Sequence, residues 1–316
     1  MFQEKRLVFM YAVSPVHMGS GTSLGVIDNP IQRERHTGHP VFAGSGIKGA
    51  AREHAAASGM SKEEINRIFG PDTDASDHAG AVSFSDAQIV AFPVRSLKEG
   101  FVYTTCPMAL ARLARIASVA GLKMQNGLTK APNDEQAIVI DEGLLSNEKL
   151  VLESYEFDSI GDDGEDLKKT AEWLAKHVFP EDGDTGFKFF RDKLENHLVV
   201  ISDTQFAYFV TNATVVEPHV RIDDATGTSD DGGLFFTENV PSESIFVSLL
   251  MASQERKKKG SKEKGMEAKE IVNKLSGTLS GSLLQLGGDA TTGRGQVWIS
   301  FAGRSTNGQE GNHGNS

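Results

Sequence analysis

The sequence predicts an α+β fold, with strands and helices mixed irregularly along one large domain, and three observations predict it. Strand-like apolar segments recur at 5–16, 81–87, 89–94, 244–251 and 296–301. Capped helical segments fall between them without the regular alternation that builds a parallel sheet. The 316 residues are 39% hydrophobic, enough for a substantial core, and the single cysteine, Cys106, rules out an internal disulfide framework.

Lys5 to Val16 is rich in Leu, Val, Phe, Met, Tyr and Ala and predicts a buried strand, followed by the Gly19-Ser20-Gly21 loop. The chain then stays irregular to about Phe42. Gly44 to Gly59 carries Ser45 at a candidate N-cap, an alanine-rich body and a glycine stop, so it predicts a helix whose first turn offers free N–H groups. Ser61 with Glu64 is a capping box for a helix over 62–69, which Gly70-Pro71 ends. Cys106 to Gly121 repeats apolar residues at helical spacing with Arg112 and Arg115 facing out, and Cys106 reads as a small buried hydrophobe. Residues 165–178 predict a helix among acidic loops, and 141–198 reads as a peripheral insertion. Val199 to Val216 predicts strands. Glu217 to Glu238 places an Asp/Gly/Thr/Ser tip between strand-like flanks, the pattern of a long hairpin over 214–240. The lysine-rich run 256–264 reads as solvated, 267–275 as a helix and 303–316 as a disordered tail, which leaves one domain over 1–302.

Charge is distributed unevenly. The net charge is −11, yet Asp141 to Gly186 alone holds fourteen acids against four lysines. Residues 1–60 carry six cations against four acids, with four histidines beside them. A nucleic-acid partner is therefore compatible with the first part of the chain, because local charge decides phosphate binding. No stretch reaches the length of a membrane-spanning helix, and no apolar signal core follows Met1, so a cytoplasmic protein without membrane contact is expected.

Three motifs carry candidate chemistry. In 286–296, Gly287, Gly288, Gly293 and Gly295 surround threonines and Arg294 ahead of a strand; glycines permit close approach of a phosphodiester, and Arg294 can fork onto its oxygens. A ligand-free turn is an equal reading of that loop alone. In 17–40, His17, Asp28, Arg33, Arg35 and His36 share a polar loop that suits an RNA site, with Asp28 placed to act on a 2′-hydroxyl or to hold Mg²⁺ or another divalent cation. By itself Asp28-Asn29-Pro30 reads more readily as an Asx turn. Ser45, Lys48 and Arg52 lie near the start of the first helix, where cations and N–H groups favour phosphate. His36-x-x-His39 lacks a third zinc partner, and Asp72, Asp74 and Asp77 depart from a calcium loop, so neither predicts a metal.

Four blocks in this order, GSGTSLGVIDNPIQRERHTGHPVFAGSGIKGAAREHA, FGPDTDASDHAGAVSFSDAQ, RIDDATGTSDDGGLFFTENVP and LLQLGGDATTGRGQVWI, resemble the RAMP-superfamily backbone subunit of type III-B (Cmr-type) CRISPR effector complexes. The resemblance spans residues 7 to about 301. It implies a modified RRM-like (ferredoxin-like) palm with helical insertions and a β-hairpin thumb. It also implies copies stacked in a helical backbone along a guide CRISPR RNA, beside other type III-B subunits. Each copy would cleave single-stranded target RNA at regular intervals with a divalent metal. By motif position the resemblance makes Asp28 the catalytic and metal-binding aspartate, His17 its companion and Glu238 an acidic residue supporting cleavage. Ser45, Lys48 and Arg52 fall in the guide-contacting helix and Gly287, Gly288, Gly293, Arg294 and Gly295 in the family's glycine loop, with Arg33 and Arg35 as further RNA contacts. A noncatalytic guide-binding scaffold, the type III-A equivalent and a guide-processing nuclease are the competing readings.

Overall fold

The computed structural model describes residues 2–71, 79–124, 130–161, 165–180, 185–223, 225–256 and 265–303. The acidic cluster at 72–78, most of the lysine-rich run (257–264) and the tail from 304 lie outside the described residues. In chain order the strands are β1 (Glu4–Ala12), β2 (Val41–Phe42), β3 (Val82–Phe84), β4 (Ala87–Ser96), β5 (Gly100–Thr105), β6 (Gln136–Val139), β7 (Leu145–Ser146) and β8 (Lys149–Leu152). They continue with β9 (Tyr155–Ser159), β10 (Leu198–Ile201), β11 (Val215–Ile222), β12 (Ser229–Asn239), β13 (Ile245–Ala252), β14 (Ser282–Gln285) and β15 (Gln296–Ala302). The helices are α1 (Gly44–Ala57), α2 (Lys62–Phe69), α3 (Pro107–Val119), α4 (Glu165–Val178), α5 (Thr185–His197), α6 (Asp203–Asn212) and α7 (Ala268–Leu279).

One large sheet runs in the order β14-β15-β1-β13-β4-β5-β10-β6-β9-β8-β7, while β11 and β12 pair only with each other. Strand β1 explains why so apolar a run opens the chain. Its six side chains from Leu7 to Ala12 are at most 2% exposed. They alternate between two cores: Val8, Met10 and Ala12 join α1 and α7, whereas Leu7, Phe9 and Tyr11 join α3, α4 and α5. A strand covered on both faces has no position for a polar residue. Each large side chain so buried contributes about 1.5–3 kcal/mol.

Several expectations are corrected. The stretch 141–198 is not peripheral: Leu167, Ala171, Leu174, Val178 and Leu194 of α4 and α5 are fully buried in the second core, and Trp173 and Phe179 meet Phe9 and Tyr11 edge-on. The described acids of the two helices, Asp166, Glu172, Asp192 and Glu195, are exposed or half-buried on the outer side of an amphipathic layer. Val199 to Val216 holds a short strand and then α6, capped by Ser202 through the Gln205 N–H. Phe206, Phe209 and Val210 are its buried stripe, a helical spacing inside a β-prone composition. The cap of α1 is not Ser45: Ala43 stands at the N-cap and the Gly44 N–H goes to Asp86 Oδ1 at 2.8 Å. Arg112 does not face solvent freely but pairs with Glu34 at 2.8 Å. The capping box of α2 forms as expected, and Cys106 is buried, its thiol pushed up by that burial.

Candidate cutting site at the base of the hairpin

Residues 13–40 form a long polar excursion between β1 and β2, and its course follows from where its backbone hydrogen bonds go. Val16 exchanges both bonds with Val240 at 2.9 Å, which ties the start of the loop to the foot of the hairpin. Further on, Asn29 lies along the outer edge of β12: its N–H donates to Phe236 O at 3.0 Å and its carbonyl accepts from the Glu238 N–H at 3.0 Å. Two candidate residues flank it on that same edge. Asp28 Oδ2 accepts from the Phe236 N–H at 2.8 Å, and His17 Nδ1 meets the Glu238 carbonyl at 2.7 Å. Positions 236 and 238 are two strand residues apart, so the anchor points are separated by roughly 7 Å.

The partner of His17 fixes its tautomer. A carbonyl only accepts, so Nδ1 carries the proton and the neutral ring presents Nε2 as an acceptor. The loop passes directly over that atom at Gly19, where an added Cβ would lie 2.7 Å from Nε2; glycine keeps it accessible. Asp28 is half-buried, with one oxygen held by the strand and the other without a hydrogen bond among the described residues. The hairpin foot thus holds a carboxylate and an imidazole along one strand edge, each oriented by backbone.

Glu238, expected as an acidic residue supporting cleavage, is buried. Its side chain is 4% exposed and its carboxylate is engaged within the chain, by Arg33 Nη2 at 2.5 Å, Thr214 Oγ1 at 2.8 Å and the Ile31 N–H at 3.1 Å. Arg33 is likewise committed, since Nη1 also donates to the carbonyls of Gly38 and Val210. This pair staples the loop to the hairpin. Arg35, by contrast, is exposed.

The remaining candidates divide in two. Ser45 is exposed on the first turn of α1, and Lys48 one turn on is half-buried. Burial, then the neighbouring Arg52 and Arg256, holds the Lys48 ammonium below its usual range, so three cations crowd one locus. Arg52 donates to the Gly70 carbonyl at 2.6 Å and to Asn66 at 2.9 Å. The glycine loop is largely spent on the protein itself. Gly288 N–H donates to His17 O at 2.9 Å, Gly295 N–H to Pro15 O at 2.8 Å, Gly293 N–H to Ala290 O and Arg294 N–H to Asp289 O. Arg294, expected on a phosphate, is ion-paired with Glu217 of β11. Sequence reading missed Glu217 altogether, because its partner lies far along the chain and no local pattern marks it.

Among the described residues no three His, Cys, Asp or Glu side chains converge on a metal position. Asp28 is nevertheless the kind of lone carboxylate with which a hard divalent cation binds when water and phosphate oxygens complete its shell. No described helix is long and apolar enough to cross a membrane.

Comparison with known proteins agrees with this architecture. Residues 9–298 match the model of the RAMP superfamily. The chain belongs to the RAMP superfamily. Within it, the chain is 35% identical to the CRISPR system Cmr endoribonuclease Cmr4 of Pyrococcus furiosus, over 96% of this chain and 97% of that protein. It is 25% identical to the CMR subunit Cmr4 of Saccharolobus solfataricus, over 92% and 94% of the two. The crystal structure of oligomeric Cmr4 from Pyrococcus furiosus superposes with a TM-score of 0.73 at 27% identity, covering 96% of this chain and all of that one. A type III-B Cmr-β complex bound to cognate target RNA contains a chain of the same fold, with a TM-score of 0.71 at 22% identity over 95% and 98%.

Proposed function

We propose that this chain is the RNA-cutting backbone subunit of a type III-B CRISPR effector complex, cleaving target RNA that is paired to a guide CRISPR RNA. The observation that carries the reading is the placement of Asp28 and His17 along one edge of β12, at the foot of a hairpin that projects from the palm, in a chain that is 35% identical to a Cmr endoribonuclease over 96% of its length. The order β15-β1-β13-β4, with α1 and α7 on one face, supports describing the palm as ferredoxin-like and RRM-like. The paired strands β11 and β12 serve as the thumb. The cationic locus at Lys48, Arg52 and Arg256, with Ser45 and Arg35 nearby in sequence, supports a guide-backbone contact at α1. Copies of the chain stack along the guide beside the other subunits, and sequence specificity rests with base pairing.

In the cut, Asp28 acts on the 2′-hydroxyl of the target and His17, with Nε2 open, is the second group that handles a proton. The 2′-hydroxyl gives its proton to Asp28, the 2′-oxygen attacks the adjacent phosphorus, the bond from phosphorus to the 5′-oxygen breaks, and the leaving oxygen takes a proton from water, after which the Asp28 carboxyl returns its proton to solvent. A 2′,3′-cyclic phosphate and a 5′-hydroxyl result. Asp28 would hold a divalent cation together with RNA oxygens, and that ion supplies positive charge against the phosphate. Glu238 and Arg33 keep the two side chains in place and do not touch RNA.

The test is cleavage of a labelled, guide-complementary RNA by the reconstituted complex, wild type against Asp28→Ala, with Mg²⁺ and with EDTA. Regularly spaced cuts that vanish with Asp28→Ala while guide binding persists are expected. Unchanged cutting would leave the chain a scaffold.

A further inference from the structure

A two-stranded ribbon is marginal by itself and must be braced by what it touches. On its β12 side the hairpin is braced by the loop of Asp28, Asn29 and His17. On its β11 side a second brace exists that the cutting mechanism does not use. Glu217 of β11 binds Arg294 through Oε1 and Asn239 Nδ2 through Oε2, so both carboxylate oxygens are committed. Arg294 is itself held within its loop, its N–H on Asp289 O and its carbonyl on Gln285 Nε2 at 2.8 Å.

That loop is also the seat of His17. Gly288 N–H donates to the His17 carbonyl, and a Cβ on Gly287, whose φ is +79°, would stand 2.2 Å from the same oxygen. Only glycine permits that approach. Contacts therefore run in a closed circuit: the His17 ring to β12, the His17 backbone to the glycine loop, Arg294 to Glu217, and β11 back to β12. A circuit fixes an angle that one strand edge alone leaves free.

We infer that Arg294 and Glu217 form a latch that sets the hairpin against His17, making both of them positioning residues for the cut. This rests on the nuclease reading above. The glycine loop then acts as a strut between the last strand and the cutting site, and its cation is aimed at the protein. Both partners are about a quarter exposed, so the pair can be opened and exchanged without unfolding the palm.

The test uses the assembled complex with guide and labelled target. Arg294→Glu and Glu217→Arg are each expected to lower the single-turnover rate at saturating target by about tenfold and to spread the cuts onto neighbouring phosphodiesters, since small misplacement at a reacting centre is costly. Target and guide affinity should stay unchanged. The exchanged pair, Glu217→Arg with Arg294→Glu, should regain most of the rate and the original cut positions, and Arg294→Gln should lose less than the reversal. Two results would overturn the latch: weakened RNA binding by Arg294→Glu that the exchanged pair fails to restore, or unaltered rates and cut positions in both single variants. Asp28→Ala in the same assay separates the two readings, because cutting that survives it refutes the nuclease assignment whatever the latch variants do.

Discussion

Replacement of Glu238 separates a positioning role from a chemical one. Its carboxylate, 4% exposed, is the acceptor shared by Arg33, Thr214 and the Ile31 N–H, so Glu238→Ala leaves a guanidinium and two further donors without that partner. Breaking one side of a buried ion pair costs about 3–5 kcal/mol. Arg33 keeps the carbonyls of Gly38 and Val210 as acceptors, which brings the expected loss to about 2–4 kcal/mol. For a chain of this size that lowers Tm by roughly 3–6 °C. Glu238→Gln keeps the shape and an acceptor oxygen, and should lose about 1–2 kcal/mol. The assay is thermal and urea denaturation of the isolated chain, run beside target cleavage by the complex. Glu238→Gln should keep most of the cleavage rate, and Glu238→Ala should lose it together with stability. The reasoning is refuted if Glu238→Gln abolishes cutting while Tm is unchanged, since its charge would then serve the reaction directly.

Two predictions concern pH. His39 is 1% exposed with neither ring nitrogen hydrogen-bonded among the described residues, and burial, then the Arg112 charge, lowers its pKa to about 4. Its folded value lies below the unfolded one, so the stability it contributes is present above about pH 6.5 and is lost as pH falls toward 4, by about 3 kcal/mol. His39→Leu should flatten that acid limb in denaturation measured from pH 7 to 4; an unchanged limb refutes it. Glu243 has the opposite sign. Burial raises its carboxyl to about 8, so its contribution is full below about pH 4.5 and declines as pH rises through 8. Glu243→Gln should raise Tm at pH 8 more than at pH 5, and an equal or negative shift at pH 8 counts against the assignment.

The sequence by itself determined most of what local chemistry encodes. Ser61 and Glu64 fixed the start of α2, the apolar run at 5–16 announced a buried strand, and the Asp/Gly tip announced the hairpin of β11 and β12. Asp28 and His17 stood out as polar residues in a glycine-bearing loop, and four ordered blocks carried the family. Only the tertiary structure decided which of these groups meet. Local pattern concealed α6, because aromatic and β-branched residues at helical spacing look like strand until the sheet they pack on is known. The acidity of 141–198 suggested a periphery, yet one apolar stripe per helix suffices to cover a sheet, with the described acids of α4 and α5 left off that stripe. The cations show this most clearly. Arg33 and Arg294 read as RNA contacts, and the fold gives each an ion-pair partner distant in sequence, Glu238 or Glu217. A charge announces its need for a partner in the sequence; which partner meets it depends on the folded chain, where desolvation makes the nearest opposite charge decisive.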